Sequence, residues 1–157
     1  MSERTLRRTR EYSGNKYHLI RDCVQAQKPF AIYNFTSSDQ YNSFLNDLDS
    51  FGELTYAVQT ITSLAKAGQH IKMIYPSIFI TNEDSKVTLD EFKHIVEGSL
   101  KHYNLDSIIC LYDGAISIFY KNGQHHPIGN KIYASHQVSE FNSDYYQIES
   151  MYYTFLM

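Results

Sequence analysis

The chain has few cysteines and no closely spaced cysteine pair. It contains two in 157 residues, Cys23 and Cys110, and neither belongs to a CxxC motif. Cysteine frameworks of that kind are typical of small secreted domains and of structural zinc sites. Because each cysteine here lies in an apolar pattern, we expect two buried, reduced thiols and a cytoplasmic protein.

Long hydrophobic runs are also missing. No window of the sequence approaches 18 consecutive apolar residues, so the sequence predicts no membrane span. The arginines near the N-terminus are not followed by the apolar segment of a secretory signal, which again favours a cytoplasmic protein.

The short motifs that identify common enzyme sites do not occur. There is no G-x-S-x-G nucleophile elbow, no glycine-rich phosphate loop and no HExxH zinc motif. The acidic stretch at 81–92 lacks the glycine and the alternating ligands of a calcium loop. A restriction-type nuclease pair of Asp with D/E-x-K is absent too. The sequence therefore assigns no cofactor and no metal, and it favours a protein without enzymatic activity.

The composition is that of one globular domain. Hydrophobic residues make up 43% of the chain and charged residues 20%, and the net charge is −3. A charge this small excludes an overall electrostatic field that would attract nucleic acid. Aromatic residues are abundant at 15%, and all of them are tyrosine or phenylalanine. Tyrosine suits half-buried surfaces and interfaces, because it joins an apolar ring to a polar hydroxyl.

Arginine is concentrated at the N-terminus. Residues 1–15 contain four of the five arginines and only two glutamates, and they end in Ser-Gly-Asn. We predict a basic polar arm over 1–15 and a single domain over 16–157. Arginine pairs well with carboxylates and phosphates, so the arm is a candidate contact for an acidic partner or for nucleic acid; the alternative is a solvated, frayed terminus. The residues assigned to this contact are Arg4, Arg7, Arg8 and Arg10.

Periodicity and turn residues predict an α+β fold. Helical spacing of apolar residues indicates helices at 17–27, 41–48, 54–65, 88–103 and 141–155, the fourth beginning with a capping box at Thr88. Apolar and β-branched runs indicate strands at 30–35, 70–80, 107–112 and 115–121, and a short or irregular strand follows from Gln124. The predicted fold is a single compact α+β domain, with an antiparallel C-terminal meander and helices packed mainly on one face.

The predicted C-terminal helix has a wide aromatic surface. The main stripe of this helix is expected to face this domain's own core. Tyr146 and Tyr153 lie beside the stripe and widen the aromatic surface onto an adjacent face. A surface this wide indicates either burial between layers or a contact with a partner. We assign Tyr146 and Tyr153 to a protein–protein contact, homomeric or heteromeric. The main stripe consists of Tyr145, Ile148, Tyr152 and Phe155.

Two adjacent histidines, His125 and His126, follow the Asn122-Gly123 turn. Adjacent side chains of an extended segment point to opposite faces, so the pair is poorly suited to bind one ion or to act as an acid and a base. We interpret both as exposed residues beside a turn. The alternative is a small hydrolase or nuclease that uses His125 or His126 together with Lys131, Tyr133 or His136.

The sequence thus favours a small binding protein, an accessory factor or inhibitor that acts through protein contact or self-association. The basic arm adds nucleic acid as a second class of partner. The alternative enzyme rests on the histidine pair alone.

Overall fold

The fold combines helices and sheets in one α+β domain, as the sequence predicted. The computed structural model describes residues 10–51, 54–59, 61–66, 69–72, 75–82, 87–111, 115–137, 145–148 and 150–156. Within these ranges the chain forms three α-helices, a short 3-10 helix and twelve strands.

The helices lie in the first two thirds of the chain: α1 is Lys16–Ala26, α2 is Ser38–Asp47, and α3 is Leu89–His102, with the 3-10 helix at Leu48–Phe51 directly after α2. The early strands are β1 Arg10–Glu11, β2 Phe30–Tyr33, β3 Thr55–Gln59, β4 Ile61–Lys66, β5 Gln69–Lys72 and β6 Ser77–Thr81. The later strands are β7 Ser107–Leu111, β8 Ile116–Tyr120, β9 His125–Gly129, β10 Lys131–Ser135, β11 Tyr145–Ile148 and β12 Met151–Leu156.

The strands form two sheets. The first has seven strands in the order β1-β3-β6-β2-β7-β8-β9, and the second has five in the order β10-β12-β11-β4-β5. All pairings are antiparallel except that of β1 with β3. The predicted C-terminal meander is confirmed as β7-β8-β9, and the predicted irregular third strand is confirmed as β9, an edge strand with a bulge in its pairing to β8.

Two segments of the chain pass directly from the first sheet to the second. One residue separates β3 from β4, and Asn130 alone separates β9 from β10. The Asn130 N–H donates to the carbonyl of Leu156 at 2.8 Å, so the bend between β9 and β10 is fastened to the end of β12. The two sheets are therefore parts of one unit.

The core has two clusters, one on each face of the first sheet. On one face, α2 and α3 pack over side chains such as Tyr33 and Ile80. On the other face, α1 packs with residues of both sheets and contributes four buried residues. Two of the three helices thus share a face, while the third lies on the opposite face, where it contacts both sheets. The buried residues of α1 are Leu19, Ile20, Cys23 and Val24.

Local signals explain where the helices begin. Asn15 and Ser37 cap α1 and α2 through their side-chain oxygens, which accept from the backbone N–H groups of His18 and Gln40. The capping box predicted at Thr88 is confirmed: its side chain accepts from Glu91 N–H, and the Glu91 carboxylate accepts from Thr88 N–H.

The helix predicted at 54–65 is wrong, because this segment forms strands β3 and β4. Its apolar residues fit a helical repeat, yet the segment is rich in threonine and β-branched residues. Such side chains lose rotamer freedom in a helix and pack well on a pleated sheet. The strand predicted at 70–80 is also divided: β5 ends at Lys72 and β6 begins at Ser77, after Pro76.

The C-terminal helix is wrong as well. Tyr145–Ile148 and Met151–Leu156 form strands β11 and β12 of a hairpin, in which Tyr146 lies opposite Tyr153. Residues 141–144 of the predicted helix lie outside the described residues. The segment consists largely of tyrosine, isoleucine, threonine and phenylalanine, all of which favour strands. Of the four residues expected to face the core, Tyr145, Ile148 and Phe155 are buried and Tyr152 is half-buried. Tyr146 and Tyr153 are buried as well, because alternation along the strands places them on the same side as Ile148 and Phe155.

Candidate binding surfaces

The N-terminal arm is described from Arg10 onward, and Arg4, Arg7 and Arg8 lie outside the described residues. Arg10 is exposed, and its backbone N–H donates to the carbonyl of Leu54 at 2.8 Å. Tyr12 donates in the same way to Tyr56 at 2.8 Å, and its ring packs against the core around α1. The last part of the predicted arm is therefore attached to the fold, and the boundary at residue 15 stays a prediction.

Tyr146 and Tyr153 lie inside the protein. Tyr146 is 6% exposed and Tyr153 is fully buried, and their rings stack with centroids 5.3 Å apart. The ring of Tyr17 from α1 lies 6.2 Å from that of Tyr153. Since both rings pack in this chain's own core, the argument that assigned them to a partner contact no longer holds.

The histidine pair lies on β9, the edge strand of the first sheet, and both side chains are exposed. His125 lies opposite Phe119 and His126 opposite Ile118, so the two imidazoles belong to opposite faces of the sheet, as the sequence predicted. The ring of His125 stacks on that of Phe119, with centroids 5.4 Å apart and an angle of 20° between the planes. Phe119 in turn packs against the core beneath α2 and α3.

A shallow, solvent-open concavity lies at the tip of the β8–β9 hairpin. Its walls are Tyr120, Gln124, His125 and His126. The turn beneath it is well hydrogen-bonded: Tyr120 N–H donates to Gln124 O at 2.8 Å, and Gln124 N–H donates to Asn122 Oδ1 at 2.9 Å. Gly123 has a φ of +92°, which explains the glycine at this turn. The hairpin tip is thus a defined structure rather than an open loop.

The residues proposed to work with the histidines belong to the other sheet. Lys131 and Tyr133 lie on β10, and His136 follows that strand, where its Nδ1 lies 3.3 Å from the carbonyl oxygen of Ser150. Within the described part of the chain, no group of three or more His, Cys, Asp or Glu side chains is placed to hold a metal ion. The predicted catalytic set is therefore spread over two sheets.

The outer face of the second sheet is a surface that the sequence reasoning missed. Tyr133 and Leu156 are exposed there by 38% and 45%, and the ring of half-buried Tyr152 lies 5.8 Å from that of Tyr145 in an edge-to-face arrangement. The register places Tyr133 opposite Thr154 and one step from Leu156, so these side chains share one face. Had the C-terminal segment been predicted as strands, the alternation of its residues would have indicated this face.

Two tyrosines have pKa values raised above the ordinary range. Burial raises the pKa of the Tyr33 phenol, which donates to Ser99 Oγ at 3.2 Å. Burial and the neighbouring Asp47 carboxylate raise the pKa of Tyr103, whose hydroxyl donates to Asp47 Oδ2 at 2.7 Å. Both phenols are neutral donors, and Tyr33 joins the first sheet to α3 while Tyr103 joins the end of α3 to the end of α2, which indicates a structural role.

No protein-family model, curated protein or solved structure matches this chain. Among the described residues, no helix has the length and apolar character needed to span a membrane.

Proposed function

We propose that the protein is a non-enzymatic binding protein, an accessory factor or inhibitor, which contacts a partner protein through the outer face of its second sheet. This surface is defined by the outward positions of β10 and β12. They are Lys131, Tyr133, Ser135, Tyr152, Thr154 and Leu156.

The observation that carries the proposal is the composition of this outer face. In an antiparallel sheet with one exposed face, buried and exposed residues alternate along each strand, and the exposed residues are normally polar. Here Lys131 is the one charged residue among the six outward positions, while Tyr133 and Leu156 expose large apolar groups. Exposed tyrosines with a few aliphatic neighbours are typical of the centre of a protein contact.

The charges near this face indicate the chemistry of the partner. Strands β10 and β12, which form this face, contain one lysine and no aspartate or glutamate. Lys131 is exposed on the face itself. A partner surface that offers carboxylates around an apolar centre would therefore be complementary. The arginine-rich arm favours the same kind of partner.

The test combines capture with a zero-length cross-linker. A carbodiimide joins a lysine amine to a carboxylate only where the two groups touch. The tagged protein is incubated with a lysate of cells that encode it, cross-linked, and analysed by mass spectrometry. We expect a protein linked through one of its Asp or Glu residues to Lys131.

The matched variants are Tyr133→Ser with Leu156→Ser, and the control Leu89→Ser. Leu89 is 39% exposed on α3, away from the second sheet, so its loss removes a similar apolar surface elsewhere. The double variant should reduce the captured protein by tenfold or more, and the control should retain it. Equal capture by the double variant, or the absence of any link to Lys131, would rule out this surface.

A further inference from the structure

Strand β10 forms an open edge of the second sheet. It stands at the end of the strand order, and among the described residues no strand pairs with its outer side. Open edges are normally protected by proline, by a bulge or by charges, because their backbone groups can pair with another strand. The edge strand β9 has both Pro127 and a bulge. In contrast, β10 has no proline, pairs with β12 without a bulge, and carries one charged residue, Lys131.

The hydrogen bonds of β12 show which backbone groups of β10 point outward. The carbonyl of Leu156 is directed toward β10, since it accepts from the N–H of Asn130 at 2.8 Å. The direction of bonding alternates along an antiparallel strand, so Tyr133, two residues beyond the register partner of Leu156, also bonds to β12. The two-residue loop between β11 and β12 gives the same alternation, because the residues at its ends exchange hydrogen bonds. Ile132 and Ala134 therefore direct their N–H and C=O groups to the open edge.

This edge is complementary to itself. If two copies of β10 lie antiparallel about a two-fold axis at Tyr133, Ile132 of each copy lies opposite Ala134 of the other. Each of these two pairs exchanges two hydrogen bonds, which gives about four main-chain bonds in all. Lys131 then lies opposite the uncharged Ser135 of the other copy. The two lysines are about 14 Å apart along the strands, farther than the screening length of about 8 Å, so they do not oppose the contact.

We propose that β10 pairs with β10 of a second copy of this chain and joins the two five-stranded sheets into one. The rings of Tyr133, each 38% exposed, meet at the two-fold axis as a cross-strand pair. This contact uses the edge of the sheet and leaves the outer face open to a partner protein. It is small beside stable interfaces of about 1,200–2,000 Å², so we expect a reversible dimer with a dissociation constant between about 1 µM and 1 mM.

Disulfide cross-linking of the purified full chain tests the geometry, with oxidised glutathione as the oxidant. Residues at position 133 of the two copies have Cα atoms about 4.5 Å apart in this pairing, within the range of a disulfide. Tyr133→Cys should therefore form a covalent dimer. Leu156→Cys is the matched control: it is exposed on the same face, but three strand spacings, about 14 Å, separate its two copies. The native cysteines are buried and do not take part.

Charge complementation tests the two-fold register by analytical ultracentrifugation. Tyr133→Lys and Tyr133→Glu should each weaken dimerisation tenfold or more, because like charges meet at the axis, and an equimolar mixture of the two should form dimers again. Tyr120→Lys and Tyr120→Glu are the controls, since Tyr120 is equally exposed but lies on the first sheet, and both should dimerise like the wild type.

Three results would overturn the proposal. They are a wild type that stays monomeric up to about 1 mM, equal cross-linking of Tyr133→Cys and Leu156→Cys, and a Lys–Glu mixture that associates no better than either variant alone. Equal cross-linking would indicate that two copies meet through their outer faces instead. These measurements use the purified chain alone, so their failure is distinct from a failure to capture a partner protein.

Discussion

The rings of Tyr146 and Tyr153 stack across the β11–β12 hairpin, 5.3 Å apart and 25° from parallel. They pack toward α1, whose Tyr17 lies 6.2 Å from Tyr153. The same hairpin presents Tyr152 on its other side, which also carries the exposed Leu156. Adjacent tyrosines of one strand thus have different roles, one in the core and one on the surface.

Replacing Tyr153 should therefore strongly destabilise the protein. Tyr153 is fully buried, and Tyr153→Ser should lower the free energy of unfolding by about 3–5 kcal/mol, as large-to-small core substitutions do. Tyr133→Ser, on the outer face, should change it by about 0.5 kcal/mol or less. Urea unfolding of both variants measures the difference. Similar losses in the two proteins would contradict the assigned faces.

Because β9 passes close to the end of β12, we expect position 129 to require glycine. A Cβ atom at Gly129 would overlap the backbone of Leu156, which cannot move without breaking its hydrogen bond to Asn130. Gly129→Ala should lower the thermal midpoint by several degrees. Gly98→Ala is the control: Gly98 lies within α3 with open space around it, so alanine should stabilise the helix by up to about 1 kcal/mol. Calorimetry on both variants tests the bend.

Two truncations of the arm should differ sharply. Removing residues 1–9 leaves the pairing of β1 with β3 in place, so the melting temperature should change little. Removing residues 1–12 also deletes the ring of Tyr12 and its backbone hydrogen bond to Tyr56, and it should lower the melting temperature by several degrees. A large effect of the shorter deletion would show that the first nine residues are packed into the fold.

Both cysteines should react slowly with thiol reagents in the native protein. The burial predicted from the sequence is confirmed, since Cys23 and Cys110 are both fully buried. Labelling with a chromogenic disulfide should become fast only after denaturation, and it should then detect two reactive cysteines per chain. Fast modification of either cysteine under native conditions would contradict this burial.

Tyr33 should contribute to unfolding at alkaline pH. Burial raises its pKa above the ordinary value of about 10, so the folded state retains a proton that the unfolded chain loses. The stability linked to this proton is present below pH 10 and falls as the pH rises above it, by up to about 1.4 kcal/mol per pH unit. In Tyr33→Phe the free energy of unfolding should fall less between pH 9 and pH 11. Urea titrations at both pH values measure this, and equal losses in the two proteins would exclude the contribution of Tyr33.

Local signals in the sequence were sufficient for part of this fold. The capped helices and the glycine-containing turn of the meander were predicted because short-range hydrogen bonds and steric effects determine them. The segments 54–65 and 141–155 were mistaken for helices, because apolar spacing was weighed above β propensity. The division into two sheets depends on pairings between distant segments, such as β4 with β11, which no local pattern contains.

For the candidate surfaces too, local patterns predicted some features, and pairings between distant segments determined the others. The opposite orientation of His125 and His126 could be predicted, because it depends only on the alternation within one strand. The outer face of the second sheet could not, since it depends on the pairing of β10 with β12, a segment that was predicted as a helix. Tyr133 entered the sequence analysis as a catalytic alternative, and the structure places it instead beside Leu156 on a sheet face.

The packing of α1 against both sheets has a consequence for synthesis on the ribosome. The helix is made early, but β11 and β12, which cover one of its sides, are made more than a hundred residues later. Until then the apolar side chains that meet Tyr153 and Phe155 in the finished protein remain exposed to solvent. Nascent chains are therefore open to chaperones and to aggregation for most of translation, and packing of the second sheet against α1 must follow release of the last strands.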